Sequence, residues 1–85
     1  MNIILPDWYD DLAEFECAAK GSALNLEVSA GKHRRTFNFY DIFRFSRDAA
    51  DEIKECGYFR DETAVIVAEV TRENMMKYLA SLSWD

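Results

Sequence analysis

The chain has 85 residues, of which 49% are hydrophobic and 14% aromatic, with one proline and three glycines. This length gives room for one hydrophobic core and no second domain, and the composition is too apolar for a disordered segment. The formal charge of −6 at pH 7 argues against general affinity for nucleic acid or anionic membranes, because both surfaces would repel the molecule.

The first segment, residues 1–11, contains a short apolar run, then Pro6 and three aspartates, with no basic residue. It does not match a signal peptide, and no apolar stretch approaches the roughly 18 residues of a membrane helix. Residues 2–5 are compatible with a short strand, and Pro6 and Asp7 with a helical turn that reaches Leu12. We therefore expect a soluble, cytoplasmic protein.

Apolar and polar side chains alternate along residues 14–19, 23–29 and 34–39, which are separated by glycine-containing turns at 20–22 and 30–32. This period of two predicts three strands in an antiparallel meander with one apolar and one polar face. The predicted apolar face consists of Phe15, Cys17, Ala19, Leu24, Leu26, Val28, Phe37 and Phe39. The predicted polar face includes Glu16, Asn25, Glu27, Arg34, Thr36 and Asn38.

A helical repeat follows, because apolar residues recur three or four positions apart at Ile42, Phe45, Ala49, Ile53 and Cys56. Gly57 supplies a helix stop, whereas the start is open between a cap at Asp41 and a cap at Ser46. The phenylalanines of this region also fit a longer strand. Acids outside the apolar stripe form a row along the helix, made of Asp48, Asp51, Glu52 and Glu55.

Residues 63–70 form a nearly unbroken apolar run rich in β-branched side chains, which predicts a central strand. Thr71 then caps a second long helix with an inner stripe of Met75, Tyr78, Leu79 and Leu82. The predicted order is βββαβα. We expect a single α+β domain over residues 1–85, with a fourth strand parallel to its neighbour in a mixed sheet and both helices on one face.

The densest acidic cluster is formed by Asp7, Asp10 and Asp11 beside Trp8 and Tyr9. Three carboxylates can hold Ca²⁺ or Mg²⁺ when a loop gathers their oxygens, but this spacing lacks the glycine and the distal glutamate of a calcium loop. We therefore expect no metal site here. The structural alternative is a charged first helical turn with Trp8 packed under the sheet.

Groups suited to catalysis are few. His33 is the only histidine and lies between Lys32 and Arg34, where like charges disfavour its protonated form. Cys17 and Cys56 fall on inward stripes, so we expect two buried, reduced thiols. Phosphate-binding loops and nucleophile motifs are absent from the sequence, so we expect no enzyme and no cofactor.

The segment 31–47 carries five basic residues against one acid. Its net charge is therefore +4, and the rest of the chain carries −10. Basic residues mixed with aromatic rings are typical of single-strand RNA binders. However, the alternation of the predicted strand places Phe37 and Phe39 in the core, where they would not be free to stack on bases. RNA binding through residues 32–47 is therefore kept only as an alternative.

By elimination, the sequence favours a small non-catalytic protein-binding module, such as an inhibitor, an immunity-type protein or an adaptor. Its acids outside residues 31–47 would meet a basic partner protein. Candidate contacts are the cluster at residues 7–11 and the acidic row of the first long helix. A homodimer formed through a sheet edge or the aromatic excess is the other alternative, and a role of the acids in solubility alone is the competing interpretation of the charge.

Overall fold

The computed structural model describes residues 2–84. Its strands are β1 (Ile3–Ile4), β2 (Ser22–Ala30), β3 (His33–Tyr40) and β4 (Ala64–Ile66). Its helices are α1 (Asp11–Lys20), α2 (Ile42–Cys56) and α3 (Arg72–Ala80), and the chain order is β1-α1-β2-β3-α2-β4-α3.

The four strands form one mixed sheet in the order β1-β2-β3-β4. The pairs β1–β2 and β2–β3 are antiparallel, whereas β4 runs parallel to β3 with Val65 opposite Phe39. A parallel neighbour requires a crossover, and α2 provides it. The predicted α+β class is confirmed, as is a mixed sheet with a parallel fourth strand.

Residues 14–19 belong to α1, so the prediction that they form a strand is wrong. The Asp10 carboxylate caps this helix by accepting a hydrogen bond from the Ala13 N–H at 2.8 Å. Helical geometry directs Cys17 into the core and leaves Phe15 72% exposed. The first strand of the meander is instead the short β1, which pairs along the far end of β2.

Gly21 ends α1 and joins it closely to the start of α2. Its φ of 81° lies in the left-handed region, and a Cβ there would lie 2.6 Å from the Asp41 carboxylate. The Gly21 carbonyl accepts a hydrogen bond from the Asp41 N–H at 2.9 Å. The Asp41 carboxylate in turn caps α2 through the Arg44 N–H at 2.7 Å. Asp41 is therefore the cap, and the competing cap at Ser46 is excluded.

A β-bulge changes the side-chain parity of β2. Ala23 pairs with Phe39 and Leu26 with Phe37, so β2 has one residue more than β3 across this interval. Asn25 accommodates the extra residue with a φ of 54°. Ala23 and Leu26 are both buried, and Leu24 is exposed. The prediction that Leu24 faces the core is wrong because strict alternation does not continue through a bulge.

The helices lie on opposite faces of the sheet. On one face, the rings of Phe37 and Phe39 both lie 6.0 Å from Tyr78 of α3, and Cys17 of α1 joins the same core. On the other face, the Tyr40 ring lies 5.5 Å from Phe45 of α2. The predicted placement of both long helices on one face is therefore wrong, because β3 presents aromatic rings to both sides.

The apolar run at residues 63–70 does not form a central strand. It contains the three-residue edge strand β4 and then bends, with the Val67 N–H donating to the Tyr40 carbonyl at 2.8 Å. Val70 is fully buried after the bend. In the second half of the run, Val70 lies in the core and Val67 packs against it, whereas Ala68 is exposed, so the run is not a strand covered on both faces.

The apolar stripe of α2 is only partly covered. Phe45 and Ala49 are half-buried, Ile42 and Ile53 are 54% and 50% exposed, and no residue of this helix is buried. Cys56 is also exposed, which makes the prediction that both thiols are buried wrong for this residue. The helix ends as predicted at Gly57, whose N–H donates to the Ile53 carbonyl.

The cap of α3 gives a first prediction. The Thr71 hydroxyl accepts a hydrogen bond from the Asn74 N–H at 3.3 Å, and the helix buries Met75 and Leu79 completely. Thr71→Ala should lower the free energy of unfolding by about 1 kcal/mol, whereas Thr71→Ser should retain most of the stabilisation that the cap provides. Urea denaturation measures both values. Equal midpoints for Thr71→Ala and the parent protein would show that the cap contributes nothing.

The two thiols give a second prediction. Cys17 is 3% exposed, and burial raises the pKa of its thiol, whereas Cys56 is open to solvent. A thiol reagent should therefore label one cysteine per folded chain rapidly and the other only after unfolding. Cys56→Ser should abolish the rapid phase, and Cys17→Ser should leave it intact. Rapid labelling of the Cys56→Ser protein would place Cys17 outside the core.

Candidate functional site

The acids at the start of α1 contribute to its structure. Asp10 is the helix cap, and the Asp11 carboxylate lies 3.5 Å from the Arg72 guanidinium. The Glu14 carboxylate accepts a hydrogen bond from the Arg72 N–H at 2.7 Å and thereby holds the first residue of α3. These contacts tie α1 to α3, so three of the acids here have structural partners.

The aromatic residues of this cluster are divided between core and surface. Tyr9 is 4% exposed, and burial, reinforced by the charge of Glu14, raises its pKa to about 12. Trp8 packs edge-on against Tyr9 but stays 48% exposed, so it does not pack under the sheet as expected. Asp7 is exposed. Of the segment 7–11, Asp7, Trp8, Asp10 and Asp11 are exposed to solvent, and Asp10 is already engaged as the cap of α1.

The second predicted group of acids lines a cleft. Spacing of three and four residues places these acids on one flank of α2. With two aromatic residues they surround a cavity of about 300 Å³, here called the acidic cleft, which is lined by Tyr40, Asp48, Asp51, Glu52, Glu55 and Phe59. A cavity of about 340 Å³ shares Tyr40, Glu52 and Phe59 with it and extends along residues 58–61.

Aromatic rings form the floor of the acidic cleft. Phe45 packs edge-on between Tyr40 and Phe59, with ring centroids at 5.5 and 5.2 Å. Tyr40 is 94% buried, since only 6% of its surface is exposed. Burial, followed by the charges of Asp61 and Asp48, raises the pKa of Tyr40, so the hydroxyl keeps its proton.

The carboxylates of the cleft differ in their pairing. Asp48 accepts a hydrogen bond from the Arg44 guanidinium at 2.9 Å and lies 3.7 Å from that of Arg47. Within the described residues, no basic side chain lies within 4 Å of the other three acids of the row. Unpaired carboxylates above aromatic rings form an environment that attracts a cation, through charge and through the ring quadrupole.

A polar network holds the loop that carries Phe59. The Asn38 carboxamide accepts a hydrogen bond from the Asn25 N–H at 2.7 Å and donates one to the Asp61 carboxylate at 2.8 Å. The Thr63 N–H and hydroxyl also donate to Asp61. These hydrogen bonds, led by the one from the Thr63 hydroxyl, lower the pKa of Asp61. One network thus joins the bulge of β2 to the loop before β4.

Several side chains of residues 31–47, here called the basic strip, are engaged in packing contacts within the protein. Phe37 and Phe39 lie in the core, and the Arg35 guanidinium covers the Phe37 and Trp84 rings at 5.2 and 5.6 Å. Phe43 is 82% exposed. His33 is also exposed. Across residues 2–84, no group of three or more histidine, cysteine or acidic side chains is arranged to hold a metal ion.

Sequence reasoning identified the walls of the acidic cleft but not its floor. Phe59 lies in the loop after α2 and carries no motif, and Tyr40 lies within residues 31–47, where the sequence gives it no role separate from the other aromatic residues. Tyr40 directly follows Phe39, and successive side chains of a strand point to opposite faces of the sheet. Its position in the strand therefore already indicates that it faces away from the main core. The position of Phe59 depends on the crossover that returns the chain beside β3.

Comparison with known proteins adds no relative: no family model, no curated protein and no solved structure matches this chain. Among residues 2–84, none of the helices has both the length and the apolar character needed to cross a membrane. The geometry of the site therefore carries the functional argument.

The Asp61 network gives a third prediction. Asp61→Asn removes the charged acceptor, which should cost about 1 to 3 kcal/mol of stability at neutral pH. Because the folded pKa lies below its ordinary value of 3.8, the stabilisation is complete above that value and is lost as the pH falls through the lowered pKa. The difference in the free energy of unfolding between the two proteins should be smaller in strong acid than at neutral pH, and denaturation at both pH values measures it. A constant difference would contradict the assignment.

Proposed function

We propose that this protein is a small non-catalytic binding module of the cytoplasm that captures a basic partner protein through the acidic cleft. An inhibitor, an immunity-type protein or an adaptor fits this description. The observation that carries the proposal is the combination of a buried aromatic floor, in which Tyr40 is 94% buried, with walls that hold three carboxylates lacking a basic neighbour among the described residues. A basic side chain that enters the cavity would contact both features.

The chemistry of the cleft favours a long cationic side chain. Lysine and arginine can extend an apolar stem along Phe59 while the charged head meets the carboxylates. A guanidinium can also stack on an aromatic ring and donate to the Tyr40 oxygen. The remaining acids of the row would act at the rim, where charge accelerates the encounter more than it strengthens the final complex.

The acidic cleft supports this function better than the cluster at residues 7–11. Asp10 and Glu14 are already engaged by backbone N–H groups, and Asp11 lies beside Arg72. The acids of α2 are more available, because only Asp48 has basic neighbours among the described residues. Reversing charge on α2 should therefore affect the partner more than reversing it near α1.

The surroundings of Cys56 support a non-catalytic role. Its thiol lies 3.9 Å from a Glu52 carboxylate oxygen, which resembles a nucleophile beside a base. However, Cys56 is the last residue of α2, whereas reactive cysteines are commonly placed at helix N-termini.

The fourth prediction tests the proposal with two variants of equal charge. The double variant Asp51→Lys/Glu55→Lys reverses two of the charges in the acidic cleft. The control variant Asp7→Lys/Glu69→Lys makes the same change in net charge at exposed acids outside the cleft. A partner isolated on the parent protein should associate about tenfold more slowly with the cleft variant at low salt. The control variant should associate nearly as fast as the parent, and stopped-flow fluorescence measures all three rates.

Two outcomes would overturn the proposal. Equal slowing by both variants would mean that only net charge matters, as expected if the acids merely keep the domain in solution. Failure to isolate any partner on the parent protein would remove the functional role altogether. Circular dichroism spectra of both variants establish that the fold is retained before the rates are compared.

A further inference from the structure

A row of exposed apolar side chains runs along the outer side of α1. Leu12 and Phe15 are 65% and 72% exposed, and one turn later Ala19 is also exposed. Spacing of three and four residues places these three on the side of the helix opposite Cys17, which enters the core. The core therefore does not require them, and they have no partner among residues 2–84.

The row continues onto α2. Phe43, at 82%, is the most exposed large apolar side chain of the described residues, and it lines one shallow pocket together with Ala19. We call Leu12, Phe15, Ala19 and Phe43 the α1 patch. Single exposed apolar residues are ordinary on protein surfaces, whereas a continuous row containing two phenylalanines marks an interaction surface.

The two ends of the α1 patch carry opposite charge. At the Leu12 end, the Asp11 side chain is 98% exposed, although its carboxylate lies 3.5 Å from the Arg72 guanidinium, and Asp10 is exposed beside it. At the Phe43 end, the pocket shared with Ala19 is lined by three basic residues, Lys20, Arg44 and Arg47, and by one acid, Asp41. The Arg47 side chain is 66% exposed, and its guanidinium lies 3.7 Å from Asp48. The surface is thus acidic at one end, apolar along its length and basic at the other end.

We propose that the α1 patch binds a second copy of this chain, with the two α1 helices antiparallel about a two-fold axis. In this arrangement the acidic end of each copy lies against the basic end of the other, and Phe43 of one copy reaches Leu12 of the other. A two-fold interface uses the same surface twice. A parallel arrangement would place like charges together at both ends.

Glu16 weakens this dimer, and substitution of Glu16 therefore tests where the interface lies. It is exposed on the outer side of α1 beside Phe15, near the middle of the helix. The two-fold axis therefore brings the two Glu16 carboxylates towards each other, and their repulsion opposes association. We expect a dimer that forms only at high protein concentration and dissociates as salt screens the attraction between the ends.

The dimer does not depend on the proposed function. The acidic cleft lies across the sheet from α1, and the residues that line it do not include any member of the α1 patch. Substitutions in the α1 patch should leave the binding of a basic partner unchanged. Loss of the dimer and loss of partner binding are therefore separate outcomes.

Sedimentation equilibrium of the full chain tests the proposal up to about 1 mM protein at low salt. Phe15→Asp should lower the association constant at least about tenfold, and Glu16→Gln should raise it about threefold. Ile4→Asp is the matched control, because Ile4 is 60% exposed on the edge strand β1. All three positions are exposed, and circular dichroism verifies the fold.

The gain expected from Glu16→Gln distinguishes a specific interface from a general loss of structure. A protein that remains monomeric up to about 1 mM in both the parent and the Glu16→Gln form would overturn the proposal. So would a dimer that Ile4→Asp weakens as much as Phe15→Asp, because that result would place the interface at the sheet edge.

Discussion

The alternation of side chains along β3 determines how the rest of the molecule is arranged. Phe37 and Phe39 point to one face and complete a core with α1 and α3. Asn38 and Tyr40 point to the other face, where they meet the loop before β4 and the helix α2. A single strand of eight residues thus supplies both the main core and the base of the acidic cleft. The two faces are unequal, because α3 buries Met75 and Leu79 and α1 buries Cys17, while α2 covers Tyr40 and buries no residue of its own.

This division explains why the cleft has a rigid floor and exposed walls. Tyr40 is buried by Phe45, and the Asn38 network fixes the loop that carries Phe59, so the rings are held before any partner arrives. The acids of α2 extend into solvent from a regular helix, whose ends are fixed by Asp41 and Gly57. Recognition sites gain affinity when the groups that meet the partner are already ordered, because less conformational entropy is lost on binding. A buried aromatic floor with charged walls has this property.

The sequence predicted the elements whose signals are local. The cap Thr71, the stop at Gly57 and the core positions Met75, Tyr78 and Leu79 of α3 lie where the pattern placed them, and Asp41 is one of the two caps that the sequence left open. Residues 14–19 were misassigned because Asp10 caps a helix there, and in a helix the alternating residues Phe15 and Cys17 face opposite sides. The bulge at Asn25, the edge position of β4 and the entry of Phe59 into the cleft depend on contacts between distant segments, which periodicity does not report. The acidic row was predicted from spacing alone, whereas its aromatic floor required the fold.

The central claim is that the second face of β3 carries the binding site, and an NMR titration with a short arginine-rich peptide tests it most directly. Amide chemical shifts of the ¹⁵N-labelled protein report which residues the peptide reaches. The account predicts shifts concentrated at Tyr40 and residues 48–61, with little change at residues 7–11 despite their three aspartates. Shifts concentrated at residues 7–11, or spread evenly over every exposed acid, would contradict it, because the peptide would then respond to charge alone.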